Sequence, residues 1–169
     1  PDNPTGMVYP EKILIAMVAI AKEFSLFLIF DEIYEHIIYN NARTAPMAKV
    51  IGTVPGISLK GISKEVPWPG ARCGWAEYYN RDQDDDFNKL CQTIDNAKMI
   101  EVSSTTLPQR AIPKIMTDPR YDLFLKSTSQ AIGQRSKKLC DFFAEIPYVN
   151  FNLTNGAFYN TIIFKVGAL

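Results

Sequence analysis

A continuous apolar run that ends in a carboxylate, LFLIFD, occupies residues 26–31. Such a short run suits a parallel strand that is covered on both faces. Asp31 then lies at the carboxyl end of that strand. In open α/β sheets, ligands bind just beyond the carboxyl ends of the strands, so the position of Asp31 supports a functional role. An aspartate after a strand is also commonly a loop or cap residue, and its spacing to Tyr34 and Lys64 favours the functional role.

The residues on either side of this run predict a layered α/β fold. Pro10 can begin a helix, because a first-turn residue needs no N–H partner. Downstream of the run, strands are predicted over residues 57–61 and 72–79, and helices over residues 84–99 and 106–117. In the helix after Pro10, six apolar residues are expected to form the packed face: Ile13, Met17, Ile20 and Phe24, which recur at helical spacing, and Leu14 and Ala21, which widen that face.

The last third of the chain predicts a long helix followed by two strands. Asp118 and Pro119 form an N-cap and first-turn signal for a helix that runs to about residue 145. Residues 148–151 and 157–164 are predicted as strands, separated by the turn signal Asn155-Gly156.

The composition excludes several classes of partner. With 18 basic and 18 acidic residues, the chain gives no reason to expect nucleic acid or an anionic membrane as a partner. No apolar run approaches the roughly 20 residues that a bilayer requires. The three cysteines are widely spaced without a metal-ligand pattern, which favours a reducing compartment and a cytoplasmic location. We interpret the acidic run at residues 82–86 as a solvated helix start, not a metal site.

A second stretch, GISKEVPWPGARCG over residues 61–74, places a primary amine eight residues before a guanidinium. Lys64 can form a Schiff base with an aldehyde, because burial lowers a lysine pKa and favours the deprotonated, nucleophilic amine. Arg72 offers a planar fork of donors that matches a phosphate bidentately. The pair predicts a covalently anchored aldehyde that carries a phosphate.

Three residues upstream complete this set of groups. Asp31 can keep the nitrogen of a pyridine ring protonated, so that the ring accepts the electron pair released at a substrate α-carbon. Asn3, in the segment NPTG at residues 3–6, and Tyr34 can both reach the 3-oxygen of the ring and stabilise it as a phenolate. The predicted cofactor is pyridoxal 5'-phosphate.

These motifs, in this order and over nearly the whole chain, resemble those of the fold-type I aminotransferases of class I and II. The resemblance implies a three-layer α/β/α sandwich with a mostly parallel sheet, followed by the start of a smaller α+β C-terminal domain. On this basis residues 1–117 are the second half of the cofactor-binding large domain. Residues 118–146 are a linking helix, and residues 147–169 are the start of the small domain.

The resemblance also implies a role for each residue of the set. These roles are internal aldimine formation and proton transfer at Lys64, ring-nitrogen pairing at Asp31, contacts to the 3-oxygen at Asn3 and Tyr34, and phosphate binding at Arg72. No metal is implied.

The chain departs from the family pattern at position 61, where Gly61 replaces a serine that many relatives use as an additional phosphate donor. This leaves Ser63 or a backbone N–H for that contact. Lys60 is a rival amine, but it lies four residues too early relative to Arg72. As a strand lysine, it is expected to face solvent.

The predicted function is transfer of an amino group between an L-amino acid and a 2-oxo acid, in a protein that the resemblance implies to be a homodimer. Two alternatives retain the same residues. One is another fold-type I pyridoxal-phosphate enzyme, a C–S lyase or a synthase, and the other is a non-catalytic, aminotransferase-like ligand-sensing domain. Because the sequence begins inside the NPTG region and the family is considerably longer, we expect these 169 residues to be a fragment that is inactive alone.

Overall fold

The computed structural model describes residues 1–165 and residue 167, and it groups the chain into two compact units. The first, here called the sheet unit, comprises Glu11–Ile33 and Ala45–Asp118. The second, the terminal unit, comprises Pro1–Pro10, Tyr34–Thr44 and Pro119–Leu169. The sequence-based domain boundaries stay a prediction, and residues 166, 168 and 169 of the predicted small domain lie outside the described residues.

Three strands form the sheet of the sheet unit, in the order β1 (Leu28–Asp31), β2 (Gly56–Gly61) and β3 (Gly74–Tyr79). Strands β1 and β2 are parallel, whereas β2 and β3 are antiparallel. All three predicted strands are therefore confirmed, although β3 begins two residues later than expected. The apolar run at residues 26–30 contributes only its last three residues to β1.

Helices cover both faces of this sheet. Helix α1 (Glu11–Glu23) and the short helix α2 (Met47–Val50) pack on one face, where Leu28 and Phe30 join their buried cluster. Helix α3 (Asp85–Met99) packs on the other face, where Phe87 and Cys91 bury Ile57. Burying one large apolar side chain stabilises a fold by about 1.5–3 kcal/mol. The sheet unit is therefore the three-layer α/β/α arrangement expected from the sequence.

The packed face expected for α1 is confirmed at two residues and wrong at four. Leu14 and Ala21 are buried together with Val18, whereas the other four residues are between 42% and 64% exposed. The helix carries apolar residues on two sides, so helical periodicity identifies two stripes without indicating which one the sheet covers. The stripe that is exposed among the described residues consists of Ile13, Met17, Ile20 and Phe24.

The acidic run begins α3, as the sequence predicted. Asp84 is the N-cap residue, and its carboxylate accepts a hydrogen bond of 2.7 Å from the backbone N–H of Phe87. This bond satisfies one of the helix-terminal donors and contributes roughly 1 kcal/mol. Helix α4 (Thr106–Met116) follows and ends one residue earlier than expected.

The terminal unit contains α5 (Tyr121–Ala144) and the antiparallel strands β4 (Val149–Phe151) and β5 (Ile162–Phe164). The predicted start of α5 is wrong, because the helix begins at Tyr121 and not at Pro119; the backbone N–H of Asp118 bonds to the Ile115 carbonyl in the closing turn of α4. Arg120 is the N-cap residue of α5 and makes no side-chain capping bond.

The turn predicted at Asn155-Gly156 is also displaced. Gly156 pairs with Ile38 in an isolated antiparallel bridge, and the chain turns one residue later, where Ala157 has a φ of 52°. Strand β5 is consequently shorter than the segment 157–164 that the sequence predicted. No helix in the described part of the chain combines the length and the apolar character that crossing a bilayer would need.

Candidate active site

Three of the predicted site residues come out at one edge of the sheet. Asp31 ends β1 and is aligned with Leu59 of β2. Strand β2 ends at Gly61, three residues before Lys64, and Gly61 is aligned with Gly74, which starts β3 two residues after Arg72. Because β3 runs opposite to β2, its start lies at the edge where β1 and β2 end. A carboxylate, an amine and a guanidinium thus follow or precede three neighbouring strands at this edge.

Asp31 is held by the backbone around it. Its Oδ1 accepts a hydrogen bond of 3.2 Å from the backbone N–H of Ile33, which is a local turn of the kind that aspartate favours after a strand. The backbone N–H of Glu32 donates to the carbonyl of Leu59 at 2.9 Å and extends the parallel pairing one residue past β1. The Asp31 residue itself is exposed at the sheet edge.

The loop between β2 and β3 carries Ser63, Lys64 and Arg72 on a packed base. Ile62, Ala71 and Cys73 are buried together beneath it. Backbone bonds from Trp68 N–H to the Ile62 carbonyl and from Ile62 N–H to the Cys73 carbonyl fold the loop back on itself. Ser63 and Lys64 are partly buried and Arg72 is exposed, so the polar residues lie outside the buried base.

Arg72 has an unusual backbone conformation. Its φ and ψ of 48° and 44° place it in the left-handed region, where an L-residue other than glycine costs roughly 1–2 kcal/mol. Arg72 follows the 3-10 turn Pro69–Ala71, and its Nη1 donates to the Pro69 carbonyl at 3.0 Å. Glycine would adopt this conformation without strain. The presence of arginine here therefore favours a functional role for its side chain, which is a hypothesis.

The space around Gly61 disfavours a side chain such as serine at this position. A Cβ atom there would lie 3.0 Å from Ile33 Cδ1 and 3.1 Å from the Cys73 carbonyl oxygen, closer than ordinary side-chain contacts. A serine at position 61 would require the antiparallel strand or Ile33 to shift. The side-chain donor that remains in this part of the loop is Ser63.

A polar network that the sequence did not predict lies on the face of the sheet beside α2. Glu32 accepts a 2.7 Å hydrogen bond from the Met47 backbone N–H and another from the Ser58 hydroxyl. Lys60 Nζ lies 3.6 Å from Glu32 and 3.7 Å from Glu77. The expectation that Lys60 faces solvent is wrong, because its side chain is only 18% exposed and lies between two carboxylates.

The Glu77 carboxylate contacts two hydrogen-bond donors as well as the charged Lys60. Its carboxylate accepts hydrogen bonds from Trp75 Nε1 at 3.0 Å and from the Tyr79 hydroxyl at 2.7 Å. Burial alone would raise the pKa of Glu77, but these donors and Lys60 outweigh it and lower that pKa. Burial, followed by the Glu77 carboxylate, raises the pKa of Tyr79 to about 12. The network therefore favours a charged Glu77 beside a neutral Tyr79.

The terminal unit contains the other two predicted site residues. Asn3 lies in a turn in which the Asp2 carboxylate accepts hydrogen bonds from the backbone N–H and the hydroxyl of Thr5. Gly6 ends this segment with a φ of 66°, and a Cβ there would lie 2.6 Å from Thr154 Cγ2. The glycine of NPTG is thus required by both conformation and space. Asn152 Nδ2 donates to the Thr5 carbonyl at 2.6 Å and ties the turn to the C-terminal part of the unit.

Tyr34 is 4% exposed and is enclosed by two aromatic side chains. Its hydroxyl lies 2.5 Å from the hydroxyl of Tyr159. The Tyr34 ring meets Phe158 and Tyr159 edge-to-face, with centroid distances of 5.3 and 5.5 Å. Sequence reasoning missed Tyr159, because it lies 125 residues away and no local pattern marks it.

The donor set at the sheet edge fits a phosphorylated pyridine aldehyde. An amine suits the aldehyde, a guanidinium suits the phosphate and a carboxylate suits the protonated ring nitrogen. The register of the three strands brings the segments bearing Lys64, Arg72 and Asp31 to this edge. The fold and this set define the class of α/β enzymes that hold pyridoxal phosphate.

The chain belongs to the family of class I and II aminotransferases. The model of that family, described as "Aminotransferase class I and II", matches residues 1–165. Members of this family depend on pyridoxal phosphate.

Two curated relatives and one solved structure illustrate the similarity. An uncharacterized aminotransferase of Methanocaldococcus jannaschii is 49% identical over 165 residues, which is 98% of this chain and 38% of that protein. A tyrosine aminotransferase of Caenorhabditis elegans is 32% identical over 94% of this chain and 34% of its own length. The structure of an alanine aminotransferase from Pyrococcus furiosus aligns with a TM-score of 0.88 at 28% identity, covering 100% of this chain and 42% of that one. The chain thus spans about two fifths of the length of these proteins.

Proposed function

We propose that this protein is a pyridoxal-phosphate-dependent aminotransferase that moves an amino group between an L-amino acid and a 2-oxo acid. The observation that carries the proposal is the strand register. It brings the segments bearing Asp31, Lys64 and Arg72 to one edge of the sheet, where α/β enzymes bind ligands. The membership of the family supports the same reaction class.

Lys64 is the proposed covalent anchor and proton carrier. When bound, the cofactor supplies an aldehyde for a Schiff base with Lys64 and a ring that accepts electrons from the substrate α-carbon. Displaced by the substrate amine, the Lys64 Nζ is positioned to take the proton from that carbon and return it elsewhere. Its place on a loop directly after β2 supports this role, because the amine leaves the ordered strand at the ligand-binding edge.

Asp31 and Arg72 have complementary electrostatic roles in this proposal. The Asp31 carboxylate keeps the ring nitrogen protonated, and the Arg72 guanidinium holds the phosphate. Ser63 contributes a further donor to the phosphate. This assignment is supported by the close approach at Gly61, which disfavours a side chain at that position.

Asn3 and Tyr34 are the proposed contacts to the 3-oxygen of the cofactor. An amide N–H and a phenolic O–H can both donate to that oxygen and stabilise its negative charge. The ordered turn around Asn3 and the fixed ring of Tyr34 support these roles, because a positioned donor loses less entropy on binding than a mobile one.

The lysine assignment is tested by reducing the protein, purified from its complete reading frame, with borohydride in the presence of pyridoxal 5'-phosphate. Borohydride converts a lysine–cofactor Schiff base to a stable secondary amine, so we expect a pyridoxyl label on Lys64 after digestion and mass spectrometry. Lys60 serves as the internal control, because it is paired with Glu32 and Glu77. A label at Lys60 or at any other lysine would contradict the assignment.

The reaction is tested with the same preparation by mixing an L-amino acid with 2-oxoglutarate. We expect a new 2-oxo acid to form in proportion to the glutamate produced. Release of ammonia and pyruvate without dependence on the oxo acid would favour a C–S lyase. Cofactor and ligand binding without turnover would favour a sensing domain.

We further propose that the protein acts as a cytoplasmic homodimer. The three cysteines are buried thiols that form no disulfide, which supports a reducing compartment. Three apolar side chains between α3 and α4 are largely exposed: Met99, Ile100 and Val102 are 85%, 80% and 97% exposed. Exposed patches of this kind fit a second copy of the chain. Light scattering during size-exclusion chromatography should give twice the protomer mass, and a monomer mass would contradict the proposal.

A further inference from the structure

The phenol of Tyr34 does not stand alone in the terminal unit. Its oxygen lies 2.5 Å from the Tyr159 oxygen, a short distance for a hydrogen bond between two hydroxyls. Tyr159 also meets the Tyr34 ring edge-to-face at an interplanar angle of 84°. The two residues are therefore linked through both their rings and their hydroxyl groups.

The backbone of the terminal unit fixes both partners. The carbonyl of Tyr34 accepts a hydrogen bond from Ile37 N–H at 3.0 Å, and Ile37 is itself 2% exposed. The Ile37 carbonyl accepts a bond of 2.9 Å from Ala157 N–H, two residues before Tyr159. On the other side, the Thr161 hydroxyl donates to the Pro4 carbonyl at 3.0 Å. Tyr159 thus lies on a short segment that is held at both ends.

A phenol has one proton to donate and an oxygen that also accepts. If Tyr34 donates its proton to the cofactor, as the proposed function states, its oxygen must accept the bond shared with Tyr159. Tyr159 is then the donor of the pair. A hydroxyl that accepts one bond becomes a stronger donor in the next, because hydrogen-bonded chains polarise one another.

We infer that Tyr159 is a positioning residue that orients the Tyr34 hydroxyl toward the cofactor's 3-oxygen and strengthens it as a donor. This inference rests on the proposed function and adds a residue to it. Tyr159 acts through Tyr34 and makes no contact with the cofactor of its own. Removing the Tyr159 hydroxyl should therefore matter only while Tyr34 retains its own.

The test uses three single variants and one double variant of the protein from its complete reading frame: Tyr159→Phe, Tyr34→Phe, Tyr39→Phe and Tyr34→Phe with Tyr159→Phe. Tyr39 is a matched control, because it is also buried in the terminal unit and its hydroxyl bonds to Thr154 Oγ1 at 2.9 Å and to the Gly156 carbonyl at 3.2 Å. The measurements are the dissociation constant of pyridoxal 5'-phosphate, the visible absorption spectrum of the bound cofactor and the thermal unfolding of the cofactor-free protein.

We expect Tyr159→Phe to weaken cofactor binding by about two- to tenfold, the effect of one hydrogen bond. It should also displace the cofactor absorption bands in the same direction as Tyr34→Phe. The double variant should match Tyr34→Phe in both measurements. Tyr39→Phe should lower the unfolding temperature and leave the spectrum unchanged.

Two outcomes would overturn the inference while leaving the proposed function intact. An unaltered spectrum and affinity in Tyr159→Phe would show that the hydroxyl has no role in cofactor binding. Additive losses of affinity in the double variant would show that Tyr159 acts independently of Tyr34. If the unaltered protein binds no pyridoxal 5'-phosphate, the proposed function fails and the positioning role fails with it.

Discussion

The sheet unit has charged side chains on one face and at one edge, and the two groups differ in how they are satisfied. On the face, Lys60 lies between Glu32 and Glu77, and hydrogen bonds to Met47, Ser58, Trp75 and Tyr79 complete the network. At the edge, the Asp31 carboxylate accepts a bond from the backbone N–H of Ile33, and Arg72 donates to a carbonyl of its own loop.

The difference between face and edge indicates that the same residue types serve stability in one place and are available for chemistry in the other. Charges that are largely withdrawn from water are stable only when they have partners with good geometry, so the face network stabilises the fold and leaves little freedom for chemistry. The charges of Asp31 and Arg72 at the carboxyl edge are held by local backbone contacts and are exposed, at the edge where α/β sheets commonly bind ligands. Two lysines four residues apart thus differ in setting: Lys60 lies between two carboxylates within the sheet unit, whereas Lys64 lies on the loop after β2, where the proposed function places the chemistry.

The strongest test of this contrast compares substitutions at the two lysines, Lys64 at the edge and Lys60 on the face. Lys64→Ala should lower the rate of amino transfer by about 10²–10⁴-fold or more, because the proposed proton carrier is lost. Lys60→Met should leave that rate within about tenfold and lower the unfolding free energy by about 1–3 kcal/mol, because Glu32 loses a partner in a mostly buried position. Turnover measurements and urea unfolding check the two effects, and the reverse pattern would contradict the contrast.

A second pair compares the two adjacent carboxylates. Asp31→Asn removes the charge proposed for the ring nitrogen and should lower amino transfer by about 10²-fold. Its effect on stability should be small, because Asp31 is exposed. Glu32→Gln retains the shape of the side chain but weakens its contact with Lys60, so it should destabilise the protein and change turnover little. Equal losses of turnover in both variants would remove the distinction between edge and face.

The smallest effect expected is a change in acid stability at Glu77. The folded-state pKa of Glu77 is lowered, so its contribution to stability is present above the unfolded value near 4.5 and is lost as the pH falls through the folded value. Glu77→Gln should lower the unfolding free energy by about 1 kcal/mol at neutral pH. The gap between variant and parent should narrow below about pH 4.5. Thermal unfolding at several pH values around 4.5 measures this difference in stability between variant and parent. A difference that stays constant with pH would show that it does not arise from ionisation of Glu77.

The apolar patterns predicted most of the sheet unit. The three strands, α3 and α4 were all expected, because each has a local signal in its apolar spacing or its cap. Four of the six residues predicted for the packed face of α1 are exposed, since two apolar stripes satisfy the same periodicity. The start of α5 was also predicted wrongly, because Asp118 belongs to the closing turn of α4 and the helix begins only at Tyr121.

The candidate site likewise has residues that the sequence predicted and contacts that it did not predict. Asp31, Lys64 and Arg72 were predicted from residue type and spacing; the register brings their segments to one edge of the sheet, and their roles stay predictions. The network around Lys60 and the contact between Tyr34 and Tyr159 were not found, because both depend on pairing between segments far apart in sequence. Side-chain partners of this kind follow from strand register and loop placement, which local sequence does not specify.

The left-handed backbone at Arg72 implies a trade-off between the stability of the fold and the proposed activity. Glycine adopts this conformation without the steric penalty, so a redesign guided by thermal stability alone would favour it at position 72. The same substitution would delete the guanidinium proposed to hold the phosphate. Variants enriched for heat resistance and variants enriched for turnover should therefore diverge at this one codon.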